Sequence, residues 1–215
     1  MINCFDPVIS EHDIKSVVEC LEGGKLVFGQ YVVEFEERFG SLSKKEFNLG
    51  LSSASAAAFA LFAYFREFHG VCDVYTSSLS FVSPAQAAKM HGHNIIFVDI
   101  DRDLLFDVED YKQKRAKYGK NNTSILMPVL YGGVSNLNTN SVRLWGDEIL
   151  VVDSAHCLTP TIDYDYGLFS FYPSKPIIMA NGGILWQITS EGIEVLVVLN
   201  EAILMTLYKM DLSFT

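Results

Sequence analysis

Ile149-Leu150-Val151-Val152-Asp153 is a run of four apolar residues that ends on a carboxylate. A short, nearly continuous apolar run of this kind is typical of a strand that is covered on both faces of its sheet. The other predicted strands are 47–51, 74–76, 95–98, 125–130 and 182–188. Most of them alternate with helical patterns along the chain, so the sequence predicts an α/β fold with a mostly parallel sheet sandwiched by helices.

The first helical pattern is the best defined. Ser10 is a candidate N-cap, apolar residues recur at helical spacing from Ile14 to Leu21, and Gly23-Gly24 ends the pattern. The remaining predicted helices are 32–39, 55–68, 84–90, 108–117 and 190–209. Because no repeat, linker or low-complexity segment interrupts the pattern, we expect residues 1–215 to form a single domain.

Composition excludes several classes of function. The formal net charge is -10 and no basic stripe is present, which argues against binding to nucleic acid. The four cysteines lack the spacing of a metal site, and no signal peptide precedes them. The longest apolar stretch, 193–208, is interrupted by Asn200 and Glu201 and is too short to span a bilayer. We therefore expect a soluble, cytoplasmic protein with no membrane partner.

Lys175 is the first candidate catalytic residue. It closes the segment Phe169-Ser170-Phe171-Tyr172-Pro173-Ser174-Lys175, and Asp153 precedes it at the end of a buried run. An amine that can form a Schiff base, a hydroxyl and a carboxylate are the groups needed to hold pyridoxal 5′-phosphate (PLP). Taken singly, each has a simpler explanation: a solvated lysine, a serine inside a buried strand, and a helix N-cap at Asp153.

A second candidate site lies at Ser53-Ala54-Ser55, where a strand gives way to a helix rich in small residues. Free N–H groups and hydroxyls at a helix N-terminus can hold a phosphate, although an ordinary serine N-cap is the alternative. Phe81 is a candidate to stack on a cofactor ring, but an isolated phenylalanine is more often part of a core. His91-Gly92-His93 offers two metal-ligand side chains, which we interpret instead as solvated loop histidines, and we predict no metal site.

These segments resemble, in order, the motifs of the sugar-nucleotide aminotransferase family of the DegT/DnrJ/StrS type, which are PLP-dependent enzymes of fold type I. The resemblance runs from the N-terminus to about Asn200. Its most specific parts are Asp153-Ser154-Ala155-His156, similar to an Asp-x-Ala-Gln/His motif, and Ser170–Lys175, similar to a Ser-Phe-x-Pro-x-Lys signature. Other similar segments are 24–29 with 35–37, 53–57, 80–82 and 97–101.

The resemblance implies a fold and a function. The fold is the large domain of the PLP-dependent transferase fold type I, and the assembly is a homodimer with its active sites between the subunits. The reaction is an amino transfer from an amino acid such as glutamate to a keto sugar on a nucleotide carrier. Lys175 is the catalytic residue, which carries PLP and moves a proton. The cofactor-binding residues that the resemblance implies are Ser53, Ala54, Ser55, Phe81, Asp153, His156, Ser170 and Lys175.

The resemblance also implies a role for each side chain. Asp153 contacts the ring nitrogen, His156 lies near the phenolic oxygen, and Phe81 covers one face of the ring. Ser55 and Ser170, with the turn amides around Ala54, hold the phosphate.

Departures from the family pattern leave a second interpretation open. Members of the family continue into a C-terminal small domain, so we expect residues 1–215 to be the large domain alone, truncated relative to the family. The sequence leaves open whether another chain supplies the missing lobe. Ala54 replaces a turn glycine, which would matter if that position required a positive φ or a close approach to the phosphate. Leu130 replaces a histidine, Asn181 replaces an acidic residue, and Pro176 is unusual. The alternative is a non-catalytic member that binds PLP weakly or serves as an interaction subunit.

Overall fold

The structure is a computed structural model. It describes residues 8–24, 29–43, 47–119, 122–134, 146–158, 163–177 and 182–187. The helices are α1 Glu11–Glu22, α2 Gln30–Ser43, α3 Ala54–His69, α4 Val82–Met90 and α5 Val108–Tyr118, with a 3-10 helix at Tyr131–Gly133. The strands are β1 Phe47–Leu51, β2 Asp73–Ser77, β3 Asn94–Val98, β4 Ser124–Met127, β5 Glu148–Asp153, β6 Tyr166–Ser170 and β7 Gly183–Gln187.

The strands form one sheet in the order β1-β7-β6-β5-β4-β2-β3. The pairs from β6 through β5, β4 and β2 to β3 are parallel, whereas β7 runs antiparallel to both β1 and β6. This arrangement confirms the predicted mostly parallel sheet. Because parallel strands end at the same edge, the carboxyl end of β5 and the loops that follow its neighbours meet at one side of the molecule.

Both faces of the sheet are buried, as the apolar runs predicted. Successive residues of β5, Leu150 and Val151, belong to two different apolar clusters, because side chains alternate along a strand. One cluster contains Phe39 of α2 and Tyr111 of α5. The other contains the buried alanines and phenylalanines of α3 together with Ala87 and Ala88 of α4. The helices therefore sandwich the sheet.

Helix α1 forms as predicted but does not join this core. Ser10 accepts a hydrogen bond from the Asp13 N–H at 3.2 Å and Asp13 accepts from the Ser10 N–H at 2.8 Å, which completes a capping box. The apolar residues at helical spacing nevertheless stay exposed, by 44–59% of their surface: Ile14, Val17, Val18 and Leu21. None of the described helices is long and apolar enough to cross a membrane.

Several element boundaries differ from the prediction, among them the end of β4 and the start of α4. β4 ends at Met127 rather than at residue 130, because beyond it only an isolated bridge links Val129 to Asp153. α4 begins at Val82, two residues before Pro84. A proline is tolerated there because the first N–H groups of a helix have no carbonyl partner in any case. The predicted helix 190–209 lies outside the described residues.

The interpretation of His91 and His93 as solvated loop residues is wrong. His93 is only 1% exposed, its Nδ1 accepts the Cys72 N–H at 3.0 Å, and its Nε2 lies 2.9 Å from the Phe62 carbonyl oxygen. Because Nδ1 is an acceptor, the neutral ring carries its proton on Nε2 and donates it to that carbonyl. His91 is half-buried, with its ring 4.3 Å from the ring of Phe59. His93 thus connects α3 to the start of β2 and has no nitrogen left for a metal.

We predict that the stability of the protein falls in mild acid because of His93. Burial lowers the pKa of His93, and the charge of Arg66 lowers it further. The folded state therefore binds a proton at His93 less readily than the unfolded state, in which the pKa is about 6.5. The stability that this pKa difference contributes is complete above that pH and is lost as the pH falls below it. The free energy of unfolding then changes by at most about 1.4 kcal/mol per pH unit. Urea unfolding between pH 7.5 and 5.5 measures this slope.

His93→Gln is the matched variant for this measurement. Its unfolding free energy should be lower at neutral pH but should change less between pH 7.5 and 5.5 than that of the wild type. His91 contributes to the residual slope, because burial also lowers its pKa. An unchanged slope in His93→Gln would contradict the assignment.

Candidate active site

Asp153 lies at the carboxyl end of β5 and is 5% exposed. Both of its backbone groups bond to the segment after β4: its N–H donates to the Pro128 carbonyl, and its carbonyl accepts the Leu130 N–H, both at 3.0 Å. One carboxylate oxygen accepts the Ala155 N–H at 3.0 Å. Burial raises the pKa of Asp153, while this hydrogen bond and the charge of Lys175 oppose the increase. A carboxylate in this position favours a cationic partner.

Lys175 provides a nearby cation. It lies in the turn after β6, where its N–H donates to the Tyr172 carbonyl at 2.8 Å. Burial lowers the pKa of the Lys175 amine, and Asp153 partly offsets this effect. A lysine with a lowered pKa has more of the neutral, nucleophilic amine at physiological pH than a solvated lysine has.

The N-terminus of α3 forms an anion-binding turn. The Ser53 hydroxyl caps the helix by accepting the Ala56 N–H at 3.1 Å. The N–H groups of Ala54 and Ser55 lie in the first turn of the helix, where no helical carbonyl four residues earlier can accept them. The positive end of the helix dipole is located here as well. The turn can therefore receive a phosphate.

The first residue of β7 contacts this turn directly. A Cβ placed on Gly183 would overlap the backbone nitrogen of Ala54, which no side chain tolerates. Ala54 itself is the first residue of α3, and Leu104 is the one non-glycine residue with a positive φ in the described part of the chain. The position of Ala54 therefore does not require a left-handed conformation. The close approach depends on Gly183, which the sequence analysis did not identify as a site residue.

One cavity brings most of the predicted residues together. It has a volume of about 490 Å³. The predicted residues that line it are Ser53, Ala54, Ser55, Phe81, Asp153, Ser170 and Lys175. The other described residues that line it, which were not predicted, are Ser83, Pro84, Ala155, Leu168, Tyr172 and Ser174. Phe81 is 71% exposed, so it is a surface aromatic side chain and not part of the core.

His156 lies beside the cavity but does not line it. Its Nδ1 accepts the Gly132 N–H at 3.2 Å, and its ring lies 5.5 Å from the ring of Tyr131. Burial lowers the pKa of His156, and the charge of Lys175 lowers it further. His156 is therefore close enough to Lys175 to sense its charge, with its proton on Nε2 when the ring is neutral.

The donor set fits PLP. A buried carboxylate suits a protonated ring nitrogen, an amine suits an aldehyde, and helix amides with serine hydroxyls suit a phosphate. The Ser170 hydroxyl accepts the Tyr172 N–H at 3.4 Å and keeps its own proton for another acceptor. Residues 25–28 of the predicted glycine motif and Asn181 lie outside the described residues.

Comparison with known proteins gives matches over most of the chain. The model of the DegT/DnrJ/EryC1/StrS aminotransferase family matches residues 7–201. The spore coat polysaccharide biosynthesis protein SpsC of Bacillus subtilis is 30% identical over 189 residues, which are 83% of this chain and 47% of SpsC. The UDP-4-amino-4,6-dideoxy-N-acetyl-beta-L-altrosamine transaminase of Campylobacter jejuni (strain 81-176) is 29% identical over 202 residues, with coverages of 85% and 50%.

A solved structure shares the fold. Helicobacter pylori PseC, an aminotransferase involved in the biosynthesis of pseudoaminic acid, matches with a TM-score of 0.82 at 25% identity. The match covers 90% of this chain and 54% of PseC. The mixed, mostly parallel sheet is that of the PLP-dependent fold type I, as predicted. The chain spans about half the length of the relatives that it matches.

We predict that Gly183→Ala disturbs the anion-binding turn. The new methyl group must displace the start of α3, and overpacking of this kind destabilises a protein by about 1–3 kcal/mol. Urea unfolding measures the loss. The control is Gly50→Ala in β1, where the nearest atom to a Cβ would be a side-chain oxygen of Glu36 at 3.2 Å rather than backbone. Equal unfolding free energies for the two variants would show that the contact with Ala54 is not a constraint.

Proposed function

The chain belongs to the DegT/DnrJ/EryC1/StrS aminotransferase family, and on this premise we propose that it acts as a PLP-dependent aminotransferase. It would move an amino group from an amino acid such as glutamate to a keto sugar on a nucleotide carrier. The observation that carries the proposal is one shared cavity. A buried carboxylate, a lysine with a lowered pKa and an anion-binding helix terminus all line it.

The proposed substrate class follows the relatives. One is named for polysaccharide biosynthesis, and another is named as the transaminase of a UDP-linked amino sugar. Both names concern carbohydrate chemistry. A nucleotide-linked keto sugar as the amino acceptor agrees with both.

Each cavity residue has a defined task in this proposal. PLP, when bound, supplies an electron sink for the carbon atom that loses a proton. Asp153, as a carboxylate, would keep a proton on the ring nitrogen, and that cation would offset the unfavourable burial of Asp153. Ser55 and Ser170, with the Ala54 amide, would hold the phosphate. Phe81 would cover one face of the ring, and the Nε2–H of His156 would donate to the phenolic oxygen.

Lys175 is the proposed catalytic residue. Its amine would first hold the cofactor covalently and then, once displaced by the amino donor, take and return the proton that moves during transfer. A lowered pKa suits this task, because a neutral amine accepts a proton and the resulting ammonium gives it back. The transfer rate should therefore rise with pH through the pKa of Lys175.

The proposed function is tested by whether Lys175 binds the cofactor covalently. After incubation with PLP and reduction with borohydride, peptide mass mapping should find a pyridoxyl group on Lys175 in the wild type. The label should be absent in Lys175→Ala and present in Lys89→Ala, a surface control on α4. Added glutamate should release 2-oxoglutarate and leave the cofactor aminated. Labelling of Lys175 without transfer to or from any amino acid or nucleotide-linked sugar would indicate the non-catalytic alternative.

We also propose that residues 1–215 form the cofactor-binding large domain and that the protein assembles as a homodimer. The exposed apolar residues of α1 support the assembly, since apolar side chains clustered on one helix face favour burial against another surface. Sedimentation equilibrium should show a dimer at micromolar concentration. A monomer alone would contradict the assembly and would weaken the proposal of a site between subunits.

A further inference from the structure

Ser83 is a cavity residue that neither the motifs nor the proposed function assigns. It is the second residue of α4 and lines the same cavity as Ser53, Ser55 and Ser170. Its hydroxyl oxygen lies 2.9 Å from that of Ser55, which donates the hydrogen bond. This contact joins the first turn of α3 to the first turn of α4 at the cavity wall.

The hydrogen bond restricts what Ser55 can do. A serine hydroxyl has one proton to donate and two lone pairs to accept with. While Ser55 donates to Ser83, it has no second proton for an anion in the cavity. Ser83 accepts that bond and keeps its own proton. The pair therefore presents one proton outward, and with Ser55 as the donor that proton belongs to Ser83.

The surroundings of Ser83 favour a negative acceptor. The N-cap residue of α4, Phe81, makes no side-chain hydrogen bond to the helix. Its side chain therefore satisfies none of the N–H groups at the positive end of the helix dipole. Pro84 follows Ser83 and is buried, and α3 and α4 pack together in one apolar cluster. Both hydroxyls are thus attached to elements held rigidly against each other.

We propose that Ser83 donates to the phosphate of the bound cofactor and that Ser55 acts through it, as the residue that orients the Ser83 hydroxyl. The acceptor is a phosphoryl oxygen, the anionic group for which the α3 terminus is suited. This inference rests on the proposed function, because PLP is the phosphate that the cavity would hold. It changes the role expected for Ser55 from direct phosphate ligand to positioning residue.

The test compares two cofactor forms that differ only in the phosphate. Dissociation constants for PLP and for pyridoxal are measured by titration for the wild type, Ser83→Ala, Ser55→Ala and the double variant. Ser83→Ala should weaken PLP about ten-fold, the effect of one hydrogen bond to a charged acceptor, and should leave pyridoxal unchanged. The double variant should bind PLP within about a factor of two of Ser83→Ala, because both side chains act through one bond.

Ser78→Ala is the matched control, since Ser78 lies exposed in the same loop before α4 and does not line the cavity. It should bind PLP as the wild type does. The inference is overturned if Ser83→Ala behaves like this control, if it weakens PLP and pyridoxal equally, or if the effects of the two single variants multiply. A purely structural role for Ser83 would affect both cofactor forms.

A second probe separates this inference from the proposed function. Inorganic phosphate should raise the Tm of the wild type and of Ser78→Ala, and should raise the Tm of Ser83→Ala clearly less. If these Tm changes are found in a protein that transfers no amino group, the proposed function is contradicted but the role of Ser83 is supported. If phosphate does not raise the wild-type Tm and PLP binds no more tightly than pyridoxal, the role of Ser83 is excluded whatever the activity.

Discussion

The site is organised around a carboxylate buried at the end of the central strand. An unpaired charge in such a place is unfavourable by several kcal/mol, so Asp153 requires partners of positive character. One N–H from Ala155 and the charge of Lys175 supply part of this requirement. The sheet fixes the carboxylate, because the N–H and the carbonyl of Asp153 both bond to the segment after β4. A cationic ligand that enters the cavity is therefore stabilised by a group that the fold has already positioned.

The sheet could be predicted because short runs of apolar residues along the chain identify most of its strands. β1 has the bounds expected from its sequence, and β5 extends the expected run by one residue on its N-terminal side. The helix cap at Ser10 also formed as expected, because a capping box involves residues only three positions apart. β6 was not among the predicted strands, although a buried strand was the simpler explanation offered for Ser170. Gly167 in this strand is needed because a Cβ would lie 2.9 Å from the ring of Tyr164.

The candidate site was predictable where residues matched a motif, and not where it depends on packing between distant segments. The motifs identified Lys175 and Asp153, and the structure places both on one cavity. The roles of these residues remain proposals. Gly183 and Ser83 were not among the candidate site residues, and their importance depends on contacts with α3 that no local pattern encodes. His93 was misassigned for the same reason: its hydrogen-bond partners lie 21 and 31 residues away.

The position of β7 affects the order in which the strands can pair as the chain is synthesised. In the described sheet β1 pairs with β7, and Phe47 lies opposite Gln187. During synthesis the ribosome releases residues 47–51 long before their neighbour exists. The parallel strands β2 to β6 can associate earlier, while this early segment waits with unpaired backbone groups. Contacts between such distant parts of a chain slow folding, so the pairing of β1 with β7 is expected to be a late step.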